Sequence, residues 1–342
     1  MKVGILSGGG DAPGINAVIR AVVRKGIQHH GYEIVGIRDG WRGLLEGRFL
    51  PLDLKAASGI LPRGGSILGT SRTNPFKHKR GAEKILKNAK KTGIAAVVVI
   101  GGEDTLGVAY KMSELGLKCV GVPKTIDNDL AGTDYTFGFH TAVAIATEAL
   151  DKLHSTAEAH HRVIILEVMG RYTGWIALEA GLAGGADAIL IPEKPFDMDE
   201  VCEYIKLRQE RGRNFSIIVV AEGAKPKGGA EIVYSESIDE FEHVRFGGVG
   251  YYIGKEIEKC MDIETRVVVL GHLQRGGSPT AFDRVLATRY GVAAIDLVHE
   301  EKFGYMVALK GNKIVSVPLK DVVGKRKTVD LELYDIASVF FG

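Results

Sequence analysis

Short runs of consecutive apolar residues recur along this chain, and each is followed by a glycine-bearing polar loop and then by an amphipathic stretch. The runs lie at residues 2–6, 33–37, 95–100, 118–122, 163–168, 188–191, 216–220 and 266–270. Strands that are apolar throughout are buried on both faces, which is typical of parallel sheets covered by helices. The pattern therefore predicts an α/β fold with largely parallel sheets, and such sheets bind ligands at the carboxyl ends of their strands.

A length of 342 residues favours two domains. Residues 138–160 have apolar positions at helical spacing and no helix breaker, so we expect one long helix there and place the first domain crossing near its start. The predicted domains are residues 1–138 with about 274–324, and residues 139–273 with about 325–342. The tail from about residue 311 begins as a strand and continues as helix or irregular structure.

Charge and cysteine content narrow the class of protein. The 44 basic and 42 acidic residues leave a net charge of +2, so no global field recruits nucleic acid or an anionic membrane. The mid-chain apolar run is far shorter than the roughly 20 residues that cross a bilayer, and the N-terminus enters a glycine loop where an export signal would continue. Cys119, Cys202 and Cys260 lack the spacing of a zinc site or redox pair. We expect them to be packing residues of a soluble cytosolic protein.

The loop PKTIDND at residues 123–129 is the densest candidate site. Asp127 is suited to accept a proton from a hydroxyl nucleophile, Asp129 to orient its neighbours, and Lys124 to meet a phosphate. Together they predict a phosphoryl-transfer site. A loop in which both aspartates merely cap a helix explains the same residues equally well.

Two other glycine loops carry candidate donor-binding residues. The loop at residues 7–14, which includes Gly10, suits a phosphate at a helix N-terminus but matches neither the P-loop nor the regular dinucleotide fingerprint, which disfavours a Rossmann oxidoreductase. Glu103 and Asp104 offer oxygen ligands for Mg²⁺, or else serve only as acidic residues in the first turn of a helix. Arg72 lies in a basic glycine-rich segment and is either a phosphate contact or part of a solvated loop.

The second half of the chain supplies further polar residues near the ends of predicted strands. Arginines there are suited to clamp a phosphate dianion, and a glutamate is suited to hold a sugar hydroxyl. Surface ion pairs and a structural histidine are the alternative. The candidates are Arg162, Met169, Gly170, Arg171, Glu222, Arg266, His272 and Arg275.

These motifs, in this order and spacing, resemble the 6-phosphofructokinases of the bacterial type over most of the chain. The matching segments are SGGGDAPG, GGEDT, PKTIDND, GTDYTFGF, EVMGRYTGW, AEG and ETRVVVLGHLQRGGSPTAFDR. The resemblance implies phosphorylation of fructose 6-phosphate at its 1-hydroxyl, in a cleft between two α/β domains. It implies that Asp127 is the base, with Thr125 and Asp129 beside it.

The resemblance also implies which residues bind the sugar phosphate. It implies that Met169, Gly170, Arg171, Glu222, His272 and Arg275 bind it within one subunit, while Arg162 and Arg266 reach in from a neighbour. A homo-oligomer, dimer or tetramer, is therefore implied. Mg²⁺ is the implied cofactor, with Glu103 as its ligand in place of the usual aspartate.

Two positions depart from the ATP-using members of the family and resemble its pyrophosphate-dependent branch. Asp104 replaces a small residue, and Lys124 replaces the glycine of PGTIDND. A carboxylate at position 104 would meet the α-phosphate of ATP, and two like charges about 4 Å apart at an effective dielectric near 20 repel by about 4 kcal/mol, about a thousandfold in affinity. Lys124 would attract the small tetraanion, and the donor-binding set is then Gly10, Arg72, Asp104 and Lys124.

We therefore predict a reversible, Mg²⁺-dependent phosphotransferase that moves phosphate from pyrophosphate to fructose 6-phosphate in glycolysis or gluconeogenesis. Two alternatives stay open at this point. An ATP-dependent 6-phosphofructokinase follows if Lys124 simply neutralises Asp104. A non-catalytic sugar-phosphate sensor follows if the fold is kept without the chemistry, although Asp127, Asp129, Arg171 and His272 together disfavour it.

Overall fold

The structure, a computed structural model, describes residues 1–229, 233–235, 240 and 245–342. The strands are β1 (Lys2–Ser7), β2 (Glu33–Ile37), β3 (Phe49–Leu52), β4 (Ile94–Gly101), β5 (Cys119–Pro123), β6 (Val163–Val168), β7 (Ala188–Leu190), β8 (Ser216–Ala221), β9 (Val233–Ser235), β10 (Arg245–Phe246), β11 (Thr265–Val269), β12 (Tyr305–Lys310) and β13 (Lys313–Pro318). Each of the eight apolar runs forms a strand, so the predicted α/β fold is confirmed.

The helices alternate with the parallel strands. They are α1 (Ile15–Gln28), α2 (Trp41–Glu46), α3 (Gly81–Thr92), α4 (Glu103–Glu114), α5 (Phe139–His160), α6 (Trp175–Ala183), α7 (Met198–Glu210), α8 (Val249–Cys260), α9 (Ala281–His299), α10 (Leu319–Val322) and α11 (Leu331–Ser338). The long helix expected at residues 138–160 is α5. Short 3-10 turns lie at Pro75–Lys77 and Gly271–Arg275.

The chain divides into two compact units. The first comprises residues 1–140 and 275–326 together with residue 240, and the second comprises the described residues of 141–235 and 245–274 together with 327–342.

The first unit is built on a seven-stranded sheet of order β13-β12-β5-β4-β1-β2-β3. Its five central strands are parallel, and the edge strands β3 and β13 pair antiparallel with their neighbours. Alternate residues of β4 enter two different cores: Val98 packs with residues of α1 and α9, and Val97 packs with residues of α3 and α4. Helices thus cover both faces, which explains why β4 is apolar throughout.

The second unit contains a four-stranded parallel sheet of order β11-β6-β8-β7. One face, which includes Ile165 and Ile218, packs against α7 and α8. The opposite residues of β6 and β8 are buried as well. A separate two-stranded antiparallel sheet pairs β9 with β10.

The cysteine prediction is wrong for two of the three residues. Cys202 of α7 and Cys260 at the end of α8 form a disulfide, with Cα atoms 6.8 Å apart. The pair forms because α7 and α8 pack side by side, although 58 residues separate the cysteines in sequence. Cys119 is a free, buried thiol as expected, and burial raises its pKa to about 12. Among the described residues, no helix is both long enough and apolar enough to cross a membrane.

Candidate active site

Three neighbouring parallel strands of the first unit end at one edge of the sheet, and each leads into a candidate loop. Strand β4 lies between β1 and β5. The segments that follow them contain Gly10, the pair Glu103 and Asp104 in the first turn of α4, and residues 124–129. Because the carboxyl ends of parallel strands meet at the same edge, the fold brings Gly10, Asp104 and Lys124 of the predicted donor-binding set to the same edge as the predicted base.

The glycine loop after β1 is held tightly by backbone contacts. Gly9 has φ of +80° and donates its N–H to the carbonyl of Ser71 at 3.0 Å, while the hydroxyl of Thr70 donates to the carbonyl of Gly9 at 2.7 Å. A Cβ at residue 10 would lie 2.0 Å from Nη1 of Arg275. Arg275 therefore packs directly on Gly10, and no side chain fits between them.

Lys124 lies beneath this loop and is buried, with 3% of its surface exposed. Its N–H donates to the carbonyl of Gly101 at 3.0 Å, and its Nζ donates to the carbonyl of Gly10. Burial and, after it, the positive charges of Arg275 and Arg72 lower the pKa of the ammonium, while Asp11 and Asp127 act in the opposite direction, and the net result is a pKa of about 7. The surroundings of Lys124 therefore disfavour its charged form in the folded protein.

The loop around Asp127 is shaped by side-chain contacts with the backbone. The N–H of Asp127 donates to the hydroxyl of Thr125 at 3.1 Å, and the buried Asn128 adopts a left-handed conformation with φ of +51° and accepts from the N–H of Thr136 at 3.1 Å. Burial raises the pKa of Asp129, as does the neighbouring Asp127 carboxylate. The next helix, α5, begins only at Phe139, so the helix-cap interpretation of these aspartates is wrong.

Glu103 and Asp104 form the first turn of α4, after the N-cap residue Gly102. Both are partly buried. Acidic residues there suit the helix dipole, as the alternative interpretation expected. The charge of Glu103 contributes to the raised pKa of Asp129, while the positive charge of Arg326 acts in the opposite direction. Arg72 is exposed on the neighbouring loop.

In the second unit, three neighbouring strands again end in candidate loops. Strand β6 lies between β8 and β11, and the loops after β6, β8 and β11 contain residues 169–171, Glu222 and His272. The N–H of Glu222 donates to the carbonyl of Val168 at 2.8 Å, and Gly223 donates to the carbonyl of Gly170 at 3.1 Å. Gly170 has φ of +145°, and a Cβ there would lie 2.6 Å from the carbonyl oxygen of Thr173.

One residue that the sequence interpretation missed joins two of these loops. Gln274 is fully buried; its Oε1 accepts from the N–H of Met169 at 3.2 Å, and its Nε2 donates to the carbonyl of Gly271 at 3.1 Å. The buried amide thus fixes the loop of Met169 against the turn that carries the exposed His272. Its position inside the motif GHLQRGG was the available signal.

Arg162 and Arg266 are not brought to this edge. Arg162 directly precedes β6 and Arg266 is the second residue of β11, so both lie at the amino ends of their strands. At about 3.3 Å per strand residue, Arg162 is about 20 Å from Met169. Both guanidinium groups instead contact the carboxylate of Glu264.

The phosphofructokinase family model matches residues 2–298. The chain belongs to the phosphofructokinase family. The resemblance predicted from the motifs is thereby confirmed, and the fold agrees with it: a solved pyrophosphate-dependent phosphofructokinase from Marinobacter aquaeolei superposes with a TM-score of 0.83 at 25% identity, over 97% of this chain and 86% of that one.

Relatives in this phosphofructokinase family differ in the donor that their names give. The chain is 59% identical to a pyrophosphate–fructose 6-phosphate 1-phosphotransferase of Streptomyces coelicolor, over the full length of both chains. It is 53% identical to the ATP-dependent 6-phosphofructokinase 3 of the same organism, over 96% of each chain. Identity alone thus separates relatives named for the two donors by a small margin.

Proposed function

We propose that this chain transfers a phosphoryl group reversibly between pyrophosphate and the 1-hydroxyl of fructose 6-phosphate. The observation that carries the proposal is the buried Lys124, whose Nζ contacts the carbonyl of Gly10 beneath the glycine loop. A buried ammonium with a depressed pKa favours a small, highly charged anion, because the anion restores the charged form that burial disfavours. Pyrophosphate is such an anion, and it arrives without a nucleoside to contribute binding.

The donor-binding residues are Gly10, Arg72, Asp104 and Lys124. Lys124 and Arg72 supply positive charge for pyrophosphate, and Gly10 permits close approach of the backbone. Asp104, in the first turn of α4, repels the additional phosphate that ATP would bring. Attraction of pyrophosphate and repulsion of ATP both favour pyrophosphate as the donor.

The chemical step uses the loop after β5. Asp127 accepts the proton of the sugar 1-hydroxyl. The hydroxyl oxygen forms a bond to phosphorus while the bond from phosphorus to the leaving phosphate breaks. Thr125 accepts a hydrogen bond from the N–H of Asp127 and so holds the base in place, while Asp129 orients the loop. Lys124 is suited to stabilise the negative charge that develops on the leaving phosphate.

Mg²⁺ fits the same place. Within the described part of the chain, no group of three or more His, Cys, Asp or Glu residues could hold a metal ion by itself. Mg²⁺ needs no such group, because it binds through one or two carboxylates together with water and phosphate oxygens. Glu103 would hold it, since its charge already helps to raise the pKa of Asp129, and when bound the ion would neutralise phosphate charge.

The sugar phosphate is bound by residues of the second unit together with Arg275. We assign this role to Met169, Gly170, Arg171, Glu222, His272 and Arg275. Arg162 and Arg266 belong to the same set, but about 20 Å of strand separates Arg162 from Met169 within one chain. A second copy of the chain therefore supplies these two arginines, so the enzyme is a homo-oligomer, dimer or tetramer.

The two units divide the work. Residues 1–138 with about 274–324 bind the phosphoryl donor, and residues 139–273 with about 325–342 bind fructose 6-phosphate. The cytoplasm is the proposed location, because both substrates are multiply charged metabolites that a membrane retains inside the cell. The Cys202–Cys260 disulfide removes cysteine content as an argument for that location.

An ATP-dependent activity is the second candidate, favoured by the 53% identity to an ATP-dependent relative. Purified protein assayed with fructose 6-phosphate and either pyrophosphate or ATP, at equal Mg²⁺, separates the two. We expect turnover with pyrophosphate to exceed turnover with ATP by at least about a hundredfold in kcat/KM, somewhat below the repulsion estimated for Asp104. Faster turnover with ATP would refute the proposal, and no turnover with either donor would support a sugar-phosphate sensor.

A further inference from the structure

Glu264 is a carboxylate shared by two arginines of neighbouring strands. It directly precedes β11. Its Oε2 accepts from Nε of Arg162, and its Oε1 accepts from Nη2 of Arg266. Each oxygen of the carboxylate is thus engaged by a different guanidinium.

The backbone around these three residues is fixed by the sheet. The carbonyl of Glu264 accepts from the N–H of Val163 at 3.1 Å, and the carbonyl of Arg162 accepts from the N–H of Ser216 at 3.2 Å. In the parallel register, Arg266 of β11 pairs with Ile164 of β6. The arginines therefore start from neighbouring, rigid positions, and only their side chains are left to be ordered.

The start of β11 is anchored a second time from the helix beside it. The carboxylate of Glu258 on α8 accepts from the N–H of Thr265 at 3.1 Å and from its hydroxyl at 2.7 Å. Thr265 lies between Glu264 and Arg266, and its carbonyl accepts from Nη1 of Arg266 at 2.9 Å. The position of Arg266 is thus defined at its backbone and at two of its nitrogen atoms.

We infer that Glu264 is a positioning residue that holds Arg162 and Arg266 side by side as a clamp for the phosphate group of the sugar phosphate in a second copy. Two guanidinium groups repel each other, and each long side chain loses rotamer freedom when it is ordered. A carboxylate between them offsets both costs. A guanidinium has five N–H donors, so the contacts with Glu264 leave donors on each arginine for an anion.

Glu264 does not itself contact the phosphate in this arrangement, because two anions would repel. The inference rests on the proposed function, which assigns the two arginines to substrate binding. The expected effect is moderate, since the three side chains are 28%, 54% and 43% exposed for Arg162, Arg266 and Glu264. Partly exposed ion pairs are weakened by solvent, so loss of both contacts should change substrate affinity by about three- to tenfold.

The test is steady-state kinetics of Glu264→Gln with both substrates varied. Glutamine keeps the shape and removes the charge. We expect the KM for fructose 6-phosphate to rise by about three- to tenfold, with a smaller change in kcat and an unchanged KM for pyrophosphate. The matched control is Glu256→Gln on α8, which removes one surface contact with Lys259 and touches neither arginine; its constants should equal those of the wild type.

The double variant Arg162→Ala/Arg266→Ala distinguishes failure of this inference from failure of the proposed function. It should raise the KM for fructose 6-phosphate strongly, and adding Glu264→Gln to it should change nothing more. If the arginine variant raises that KM and Glu264→Gln alone leaves it unchanged or lowers it, the positioning role is refuted; a lower KM would mean that Glu264 competes with the phosphate. If the arginine variant has the wild-type KM, the assignment of the arginines fails first.

Discussion

Replacing Lys124 with methionine should stabilise the unliganded protein while it abolishes most turnover with pyrophosphate. Methionine has a similar length, and it fills the buried position without an ammonium group. The wild-type side chain carries its ammonium where 3% of the residue is exposed and where Arg275 and Arg72 add positive charge. The substitution removes this unfavourable charge and with it the group that we assign to pyrophosphate.

The magnitude follows from the pKa of Lys124. A value of about 7 in the folded protein, against an ordinary value of 10.5, corresponds to about 5 kcal/mol at about 1.36 kcal/mol per pKa unit. Because the folded pKa is lowered, the unfolded chain binds more protons between about pH 7 and 10.5, and wild-type stability rises with pH in that window. The penalty is complete below pH 7, about 3 kcal/mol at pH 8 and about 1 kcal/mol at pH 10.

Urea denaturation of both proteins between pH 6 and pH 10, at one fixed protomer concentration, measures this penalty. The free energy of unfolding of Lys124→Met should exceed that of the wild type most at pH 6, and the difference should shrink by about 4 kcal/mol by pH 10. Loss of the contact with Gly10 lowers the gain by an amount that does not depend on pH. Lys87→Met on the exposed face of α3 is the matched control, and it should show no such trend.

A difference that is constant with pH would refute the reasoning. It would mean that Lys124 stays fully charged in the folded protein and that Asp11 and Asp127 compensate it completely. Lys124 would then be part of a structural ion-pair network, and its charge would not be reserved for pyrophosphate. Measurement with saturating pyrophosphate provides an internal check, because a bound anion should restore the charged lysine and reduce the pH dependence of wild-type stability.

Three further predictions concern the proposed chemistry. Asp104→Gly combined with Lys124→Gly should raise the ratio of kcat/KM for ATP to that for pyrophosphate, by up to about a thousandfold if the estimated repulsion is lost in full; an unchanged ratio would exclude charge at these positions as the basis of donor choice. Asp127→Ser should lower kcat by about 100- to 10,000-fold, with calorimetry showing little change in fructose 6-phosphate binding, whereas wild-type turnover would place the base elsewhere. Inactive Asp127→Ser subunits mixed with Arg162→Ala/Arg266→Ala subunits under dissociating conditions should regain activity on reassembly, because hybrid oligomers contain intact sites; no recovery from reassembled hybrids would contradict shared sites.

The parallel strands could be predicted because burial on both faces leaves a direct mark in the sequence. Residues 96–100 alternate between two helix-covered cores, so all five positions must be apolar. The antiparallel edges leave a weaker mark. Strand β3, Phe49–Leu52, is four residues long and contains Pro51, which an edge position tolerates because its missing N–H is not needed by a second neighbour.

The site residues divide in the same way. The candidates Asp127, Lys124 and Arg171 lie in loops directly after apolar strands, and the density of charged residues there could be recognised in the sequence. Gln274 and Glu264 were missed, because their contacts depend on strand order: Gln274 reaches Met169 only because β11 and β6 are neighbours. The disulfide between Cys202 and Cys260 was missed for the same reason, since packing of two helices brings the pair together.

The proposed donor site and the proposed sugar-phosphate site both contain neighbouring positive charges, and the fold treats the two sets differently. At Lys124, burial and two arginines depress the pKa more than Asp11 and Asp127 raise it, and in the proposed function pyrophosphate supplies further negative charge. At Arg162 and Arg266 the fold provides compensation through Glu264, at positions that are partly exposed. A buried cation gains selectivity for a small tetraanion from its unfavourable surroundings, because only a strongly charged ligand repays the desolvation. Two partly exposed arginines stay in contact with water, so desolvation adds little to their affinity for an anion. Holding their side chains in one conformation before the anion binds is what improves binding there. Neutralising Lys124 should therefore alter stability and donor choice together, whereas neutralising Glu264 should alter the KM for the sugar phosphate and leave stability nearly unchanged.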